Sequence, residues 1–299
     1  MAVNFQGVFS AITTPFKKDG SVDHKSLAAL VQRQIQGGVI GIIATGSLGE
    51  SATLSFDEKV EIYKTCVKAA GKVPVVPGIA SLSTGEAVAL AKAAAKAGCR
   101  GVMVLPPYVY STDWREMKAH VAAVIGATKL SCLLYNNPIA YRTDFLPKQI
   151  LELANEHKNL LAVKESCGDA RRVTYIKHTV GDRLVVMVGM DDCIVEGVNA
   201  GATGWVAGLV NAFPEESVAI YDAAMAGDRK KADEIYKWFL PLLRLDIVPK
   251  FVQLIKYTQY KLDPSYSPSV RAPRLELEPA EKKYVDGVVK AALAKRPKL

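Results

Sequence analysis

One lysine of the sequence stands where amine chemistry is expected. Lys164 interrupts the apolar run LLAVKES near the carboxyl end of a predicted β-strand. Burying an unpaired ammonium group is costly, so a lysine in such a place loses its proton or finds a partner. A neutral, desolvated lysine attacks carbonyl carbon and forms a Schiff base, which is the role we predict for Lys164. A structural pair with Glu165 is disfavoured because adjacent strand residues face opposite sides.

Polar and aromatic residues follow three other apolar runs. The loop TGSLGE at 45–50 combines glycines, which let backbone N–H groups approach an anion, with the hydroxyl of Ser47. Tyr108 and Tyr110 follow the fourth run, and Tyr135 ends the fifth. A tight turn between a strand and a helix explains the glycines of this loop equally well. Packing at the edge of the fold explains the tyrosines equally well. The local pattern leaves both interpretations open.

The candidate residues stand at the ends of short apolar runs, of which the sequence contains eight. Their spacing fits a strand followed by a crossover helix, and their nearly continuous apolar character is typical of parallel strands covered on both faces. The runs span residues 7–13, 40–46, 73–79, 101–107, 130–137, 160–166, 184–190 and 201–208. Eight such units favour an α/β (β/α)8 TIM barrel over an open, doubly wound sheet. In a barrel the functional side chains gather at the carboxyl ends of the strands, so the candidates above are expected to meet there.

The strand pattern stops near residue 225. Three helical segments separated by Pro-containing turns follow, at 228–246, 248–262 and 278–295. We therefore predict a barrel catalytic domain at 1–225 and a three-helix C-terminal extension at 226–299. The apolar residues of the extension imply that it packs on the barrel or on another subunit.

The composition is that of a globular chain. The 299 residues are 49% hydrophobic and 23% charged, and no apolar run is long enough for a transmembrane helix. Lys and Arg number 38 against 30 Asp and Glu, which gives a net charge of +8. The basic residues are mostly scattered among acids and concentrate only at 288–299, as in a solvated tail. We expect neither a nucleic acid nor a membrane as partner, and the mild positive charge suits a small carboxylate substrate.

Cysteine and histidine are spaced for neither a disulfide framework nor a metal site. The five cysteines form no CxxC pair, and the four histidines form no HxxxH or HExxH pattern. We therefore expect reduced cysteines, no metal and no cofactor. The opening residues MAVNFQGVFS lack the basic and apolar regions of a secretory signal, which favours a cytoplasmic location.

Several segments together resemble a known enzyme family. They are GSLGESATLSFDEK (46–59), YNNP (135–138), VKES (163–166), GMDD (189–192) and GATGWVAG (201–208). The chain from about residue 7 to about 211, which carries these motifs, is similar to the class I pyruvate-type aldolase superfamily that contains dihydrodipicolinate synthase and N-acetylneuraminate lyase. The resemblance implies a barrel enzyme that forms a lysine Schiff base without a cofactor. It also implies a homotetramer built from tight dimers.

The resemblance assigns roles to residues of this sequence. Lys164 corresponds to the Schiff-base lysine, and Tyr135 corresponds to the tyrosine whose phenol moves protons beside it. A hydroxyl and a backbone N–H group are implied to hold the substrate carboxylate, and two further backbone positions are implied to line the pocket. These four positions are Ser47, Leu48, Gly189 and Val206.

Three positions depart from the dihydrodipicolinate synthase pattern. The proton relay of that enzyme needs a threonine where this chain has Leu48, and a second tyrosine where it has Val109, unless a shifted loop brings in Tyr110. The arginine expected for the substrate carboxylate is replaced by Ala140, and Arg142 lies two residues further on. These departures argue against an enzyme of lysine biosynthesis.

The combination of GSLGE with YNNP is similar to the 1-pyrroline-4-hydroxy-2-carboxylate deaminase branch, which acts in hydroxyproline breakdown. This resemblance implies a lyase or deaminase for a small 2-oxo acid or cyclic imine, with Tyr141 and Asp191 as candidates at the hydroxyl end of the substrate. The alternatives are a 2-oxo-3-deoxy sugar acid dehydratase or aldolase and a synthase-like enzyme. A non-catalytic barrel with a regulatory or nucleic-acid-binding role is suggested by charge alone, and it predicts no dependence on Lys164.

Overall fold

Eight parallel strands form a closed ring in the computed structural model, which describes residues 2–107 and 113–299. Strands adjacent in sequence pair side by side, and the first strand also pairs with the eighth. The seam between the second and third strands is joined by backbone hydrogen bonds, from Ile42 N to Pro74 O at 3.0 Å and from Val76 N to Ile42 O at 2.8 Å. The predicted (β/α)8 barrel is confirmed, and the open sheet is excluded because both of its edges are paired. The strands are β1 (Gly7–Ala11), β2 (Gly41–Ile43), β3 (Gly78–Ile79), β4 (Gly101–Val104), β5 (Ser131–Asn136), β6 (Leu160–Glu165), β7 (Val185–Val188) and β8 (Gly204–Ala207).

Helices alternate with the strands and continue beyond the barrel. The helix after the second strand begins with a capping box, in which Ser55 Oγ accepts from Glu58 N at 3.2 Å and the Glu58 carboxylate accepts from Ser55 N at 2.9 Å. In the described ranges no helix is long and apolar enough to cross a bilayer. The helices are α1 (His24–Gln36), α2 (Phe56–Ala70), α3 (Thr84–Lys96), α4 (Trp114–Gly126), α5 (Pro138–Tyr141), α6 (Pro147–Glu156), α7 (Ala170–Val180), α8 (Ile194–Asn199), α9 (Pro214–Met225), α10 (Arg229–Leu243), α11 (Phe251–Leu262) and α12 (Pro279–Ala294).

Apolar side chains cover both faces of the strands, which explains the nearly continuous apolar runs. One set fills the interior of the ring, and a larger set packs between the strands and the surrounding helices. The interior is crowded: a Cβ on Gly41 would overlap the ring of Phe9. The interior set includes Phe5, Phe9, Ile43, Val76, Met103, Leu133, Met187 and Val206.

The C-terminal helices pack on the barrel of the same chain. The ring of Phe239 in α10 lies 5.8 Å from that of Phe213, which precedes α9. Gln259 in α11 accepts a hydrogen bond from Thr13 Oγ1 at 3.0 Å, just beyond β1. The predicted boundary near residue 225 falls in the turn between α9 and α10. The division into two folding units stays a prediction.

An ion pair attaches the segment before α12 to α2. Arg271 binds both carboxylate oxygens of Glu58 at 2.8 Å and also donates to Thr53 O at 2.9 Å and to Gly20 O at 2.6 Å. The hydrogen bonds from Arg271 lower the pKa of Glu58 to about 2. The stabilisation from this pair is therefore present above the ordinary glutamate pKa and is lost as pH falls from about 4.5 to about 2.

We expect Arg271→Ala to lower the free energy of unfolding at pH 7 by about 2 kcal/mol, a value reduced for the partial solvent exposure of the pair. The difference from the wild type should shrink at pH 3, as measured by urea unfolding at both pH values. Lys282→Ala is the control, because its pair with Glu276 at 3.2 Å is exposed and should contribute under about 0.5 kcal/mol. An equal effect of Arg271→Ala at both pH values would contradict the assignment to Glu58.

Candidate active site

A cavity of about 550 Å³ opens at the carboxyl ends of the strands. Each strand contributes a residue at or just beyond this end, and residues 246–249, Phe251 and Arg274 of the C-terminal extension complete the wall. The cavity brings together seven of the residues singled out from the sequence. These are Ser47, Leu48, Tyr135, Tyr141, Lys164, Gly189 and Val206.

Lys164 is held at the base of this cavity. Its side chain leaves β6 beside Tyr135 of β5, and its Nζ lies 4.3 Å from the centroid of the Tyr135 ring. Only 7% of the residue is exposed. The neighbouring Glu165 faces away, where it accepts from Asn136 Nδ2 at 2.9 Å and from Cys167 N at 2.7 Å. The structural pair between Lys164 and Glu165 is therefore excluded, and the amine faces the cavity.

Gly189 is required by the close approach of the lysine stem. A Cβ at this position would lie 2.7 Å from Lys164 Cε and 2.9 Å from Lys164 Cγ, and it would overlap Ser166 Oγ. A larger residue would therefore displace the amine from its place beside Tyr135. The backbone of β7 thus sets the position of Lys164.

Two phenols lie between Lys164 and the loop after β2. The hydroxyl of Tyr135 accepts a hydrogen bond from Asn137 Nδ2 at 3.0 Å. The Tyr141 ring packs edge-on against Tyr135, with centroids 5.7 Å apart, and its hydroxyl forms a short hydrogen bond with Ser47 Oγ. Proton-carrying groups therefore extend from the amine to Ser47, as general acid–base chemistry requires.

The loop after β2 offers donors for a carboxylate. Within the described chain, the backbone N–H groups of Ser47 and Leu48 donate no backbone hydrogen bond, although both residues line the cavity. Thr45 and Glu50 flank the loop at φ values of 50° and 56°, a strained conformation for non-glycine residues that is typical of functional turns. The Leu48 side chain is 4% exposed and adds an apolar surface to the wall.

Asp191 lies behind the cavity wall. Its carboxylate accepts from Trp205 Nε1 at 3.1 Å, from Gly208 N at 3.1 Å and from Leu209 N at 2.7 Å, and it has no exposed surface. Burial raises the pKa of Asp191 to about 6. These contacts hold the turn after β8, so the structure does not bring Asp191 to the cavity with the other candidates. Tyr108 and Tyr110 lie outside the described residues.

Two charged residues of the cavity were missed from the sequence. Asp246 follows α10, and a Cβ on Gly208 would overlap its Oδ1 and lie 2.8 Å from its Cγ. Arg274 reaches the wall with Nη1 3.6 Å from Glu50 Oε2. Asp246 is the single carboxylate of the stretch LLRLDIVP, which lies beyond the predicted strands, so no strand-end signal marks it. Arg274 has no such signal.

The cavity carries an amine, two phenols, serine hydroxyls, a carboxylate and a guanidinium, together with two amide N–H groups that donate to no backbone oxygen of the described residues. In the described ranges, no three His, Cys, Asp or Glu side chains are grouped to hold a metal ion. The arrangement can bind a small carboxylate, attack an adjacent carbonyl or imine carbon, and move protons around it.

Comparison with known proteins agrees with this arrangement. The model of the dihydrodipicolinate synthetase family matches residues 4–292. The chain is 34% identical over 289 residues to 4-hydroxy-tetrahydrodipicolinate synthase of Mesorhizobium japonicum, covering 96% of this chain and 98% of that protein. The solved structure of the synthase from Methylacidiphilum fumariolicum SolV superposes with a TM-score of 0.92 at 28% identity, covering 97% of each chain. A monomeric dihydrodipicolinate synthase variant gives a TM-score of 0.90 at 27% identity, covering 96% of this chain and 97% of the variant.

These matches cover nearly the whole chain, including the C-terminal extension. The protein is thus an enzyme of the class I, lysine Schiff-base aldolase superfamily, and the alternative of a non-catalytic barrel is rejected. The chain belongs to the dihydrodipicolinate synthetase family.

Proposed function

We propose that this enzyme is a deaminating lyase for a small cyclic imine, 1-pyrroline-4-hydroxy-2-carboxylate. The observation that carries the proposal is that Leu48 and Ala140 line the cavity at the positions that the synthase pattern fills with threonine and arginine. The apolar side chains at these two positions suit a compact ring, and they lack the hydroxyl and the cation that condensation with aspartate semialdehyde uses there in that pattern.

The first steps open the ring. The substrate carboxylate binds Ser47 and the N–H of Leu48, and the Lys164 amine attacks C2 of the imine. The bond between C2 and the ring nitrogen then breaks. The nitrogen takes a proton and remains on C5 as a primary amine, while C2 becomes a Schiff base with Lys164. Tyr135, beside Nζ, carries protons between the two nitrogens.

The later steps remove the hydroxyl and the nitrogen. Loss of a C3 proton gives an enamine, whose electrons expel the C4 hydroxyl as water. Moving a proton from C5 to C3 then gives an enamine at C4 and C5, and moving a proton from its nitrogen to C4 turns it into an imine at C5. One water hydrolyses this imine to an aldehyde and ammonia, and a second hydrolyses the Schiff base. One water is lost and two are consumed, so the products are ammonia and 2,5-dioxopentanoate.

A second candidate function is favoured by Arg274. A guanidinium at the cavity wall, next to Glu50 at 3.6 Å, would suit a substrate with a second carboxylate, as in a synthase-like aldol reaction. Arg274→Ala separates the two functions. It should raise the KM of a dicarboxylate by about 10–100-fold and leave that of the monocarboxylate pyrroline within about 3-fold. Arg274→Lys, which keeps the charge, is the control.

A substrate panel tests the proposed function directly. We expect ammonia release from the hydroxylated pyrroline carboxylate only, and none from keto-deoxy sugar acids or sialic acid. Pyruvate with aspartate semialdehyde should show no coupled loss of the semialdehyde. Lys164→Ala serves as the blank for each substrate. Coupled consumption of aspartate semialdehyde would contradict the argument from Leu48 and Ala140.

The homotetramer and the cytoplasmic location remain part of the proposal. Sedimentation of the purified chain tests the first, and a species of one subunit would contradict it. The monomeric variant among the solved relatives makes this measurement necessary.

A further inference from the structure

Asp246 is the carboxylate of the cavity that no step above has used. Of the described residues that line the cavity, it is the only one with a carboxyl group. It stands at the start of the segment 246–249, which lines the cavity together with Lys164 and Val206. The C-terminal extension thus brings an acid–base group to the barrel site.

The position of Asp246 is set by close packing on β8. Gly208, directly after β8, is in contact with the carboxylate, and no side chain fits between them. The backbone N–H of Gly208 donates to Asp191 at 3.1 Å and is therefore engaged elsewhere. Asp246 itself receives no hydrogen bond from the described residues, so its oxygens are available to a substrate.

The charges that act on Asp246 come from two neighbouring strands. Lys164 of β6 attracts it, whereas Asp191 and Asp192, both after β7, repel it. Burial, reinforced by the two aspartates, raises the pKa of Asp246 well above its usual range. A carboxylate of raised pKa is a stronger base than a solvated one, and its protonated form still donates readily.

We propose that Asp246 removes the C3 proton of the Lys164-bound substrate and delivers that proton to the departing C4 hydroxyl. This assignment rests on the proposed function. In the first step the C3–H electrons form the C2=C3 bond and neutralise the iminium nitrogen. In the second, the nitrogen lone pair re-forms the iminium, the C2=C3 pair moves to form C3=C4, the C4–O bond breaks, and Asp246 protonates the leaving oxygen to give water.

The other candidate bases are engaged elsewhere. Tyr135 packs on Nζ and accepts from Asn137, which places it at the nitrogen of the Schiff base and not at C3. Asp191 lies behind the wall with its oxygens held by N–H donors. The Tyr141 hydroxyl is hydrogen-bonded to Ser47 Oγ, so Asp246 is the described carboxylate that is open to the cavity.

The test separates proton transfer from Schiff-base formation. Pyruvate forms the same lysine adduct, and the exchange of its methyl protons in D₂O reports removal of a C3 proton, independently of the pyrroline. We expect Asp246→Asn to slow this exchange, and ammonia release from the pyrroline, by about 10²-fold. Borohydride trapping of pyruvate at Lys164 should be unchanged. The wild-type exchange rate should rise with pH through the raised pKa of Asp246, and the variant should lose this dependence.

Two further variants serve as checks. Glu234→Gln removes an exposed carboxylate of α10 that does not line the cavity, and it should keep exchange within about 3-fold of the wild type. Gly208→Ala keeps the carboxylate but displaces it, so exchange should fall while trapping persists. It also provides the test if Asp246→Asn does not fold.

Three outcomes would overturn the assignment: exchange by Asp246→Asn near the wild-type rate, loss of trapping in proportion to loss of exchange, or an unchanged pH dependence. A wild-type enzyme that exchanges the pyruvate methyl protons through Asp246 but releases no ammonia from the pyrroline rejects the proposed function instead. The two failures are therefore distinguishable.

Discussion

Replacing Lys164 with alanine is expected to reduce turnover by about 10⁴-fold or more, because the covalent route disappears with the amine. The fold should survive the change. The lysine Nζ rests on the ring of Tyr135 at 4.3 Å and faces a cavity, so its removal breaks no hydrogen bond or ion pair with the described residues. Circular dichroism and thermal unfolding of the variant check this expectation alongside the kinetics.

Borohydride trapping with pyruvate locates the reactive amine. We expect a three-carbon adduct on the peptide that carries Lys164 and on no other. Lys256 is the internal control, because it is also buried but pairs with Glu50 at 2.6 Å and lies outside the cavity wall. Lys250→Ala, a surface change, should trap like the wild type. An adduct on Lys256, or none in a folded sample, would refute the Schiff-base assignment.

Replacing Tyr135 with phenylalanine is expected to lower kcat by about 10²–10⁴-fold, because the ring stays and only the proton-carrying hydroxyl is lost. The packing against Lys164 and Tyr141 should be retained, since both contacts involve the ring. The hydrogen bond from Asn137 is lost. Trapping of pyruvate should slow less than turnover, because later steps also move protons.

Steady-state kinetics and the rate of adduct formation measure the two effects separately. Tyr221→Phe is the matched control: its hydroxyl donates to Thr203 O at 2.8 Å, away from the cavity, and kcat should stay within about 3-fold. A near-wild-type rate for Tyr135→Phe would remove the phenol from the mechanism.

Much of the barrel could be predicted because its signals are local. A parallel strand covered on both faces leaves a short apolar run, and neighbouring strands of a barrel follow one another in sequence. The count of runs then indicated the topology. Lys164 was found for a similar reason, since a charge within an apolar strand is visible in a few residues.

Whether the other candidate side chains face the cavity depends on the backbone conformation of the turn that carries each of them. The resemblance brought Tyr141 and Asp191 forward together, yet the structure turns Tyr141 into the cavity and Asp191 into the turn after β8. Both residues follow strand ends. Only the conformation of each turn decides whether its side chain faces the cavity or the backbone N–H groups behind it.

By itself the sequence determined the barrel, the buried lysine at a strand end and the candidates at the other strand ends, because each follows from contacts between residues close in the chain or from a regular repeat. The tertiary structure alone decided that Asp246 and Arg274 join them. Both belong to the C-terminal extension, and they reach the cavity because α10 and α11 pack on the barrel. Such packing depends on many weak contacts between segments that are distant in the chain. No local pattern of residues therefore predicts which side chains it brings to the cavity.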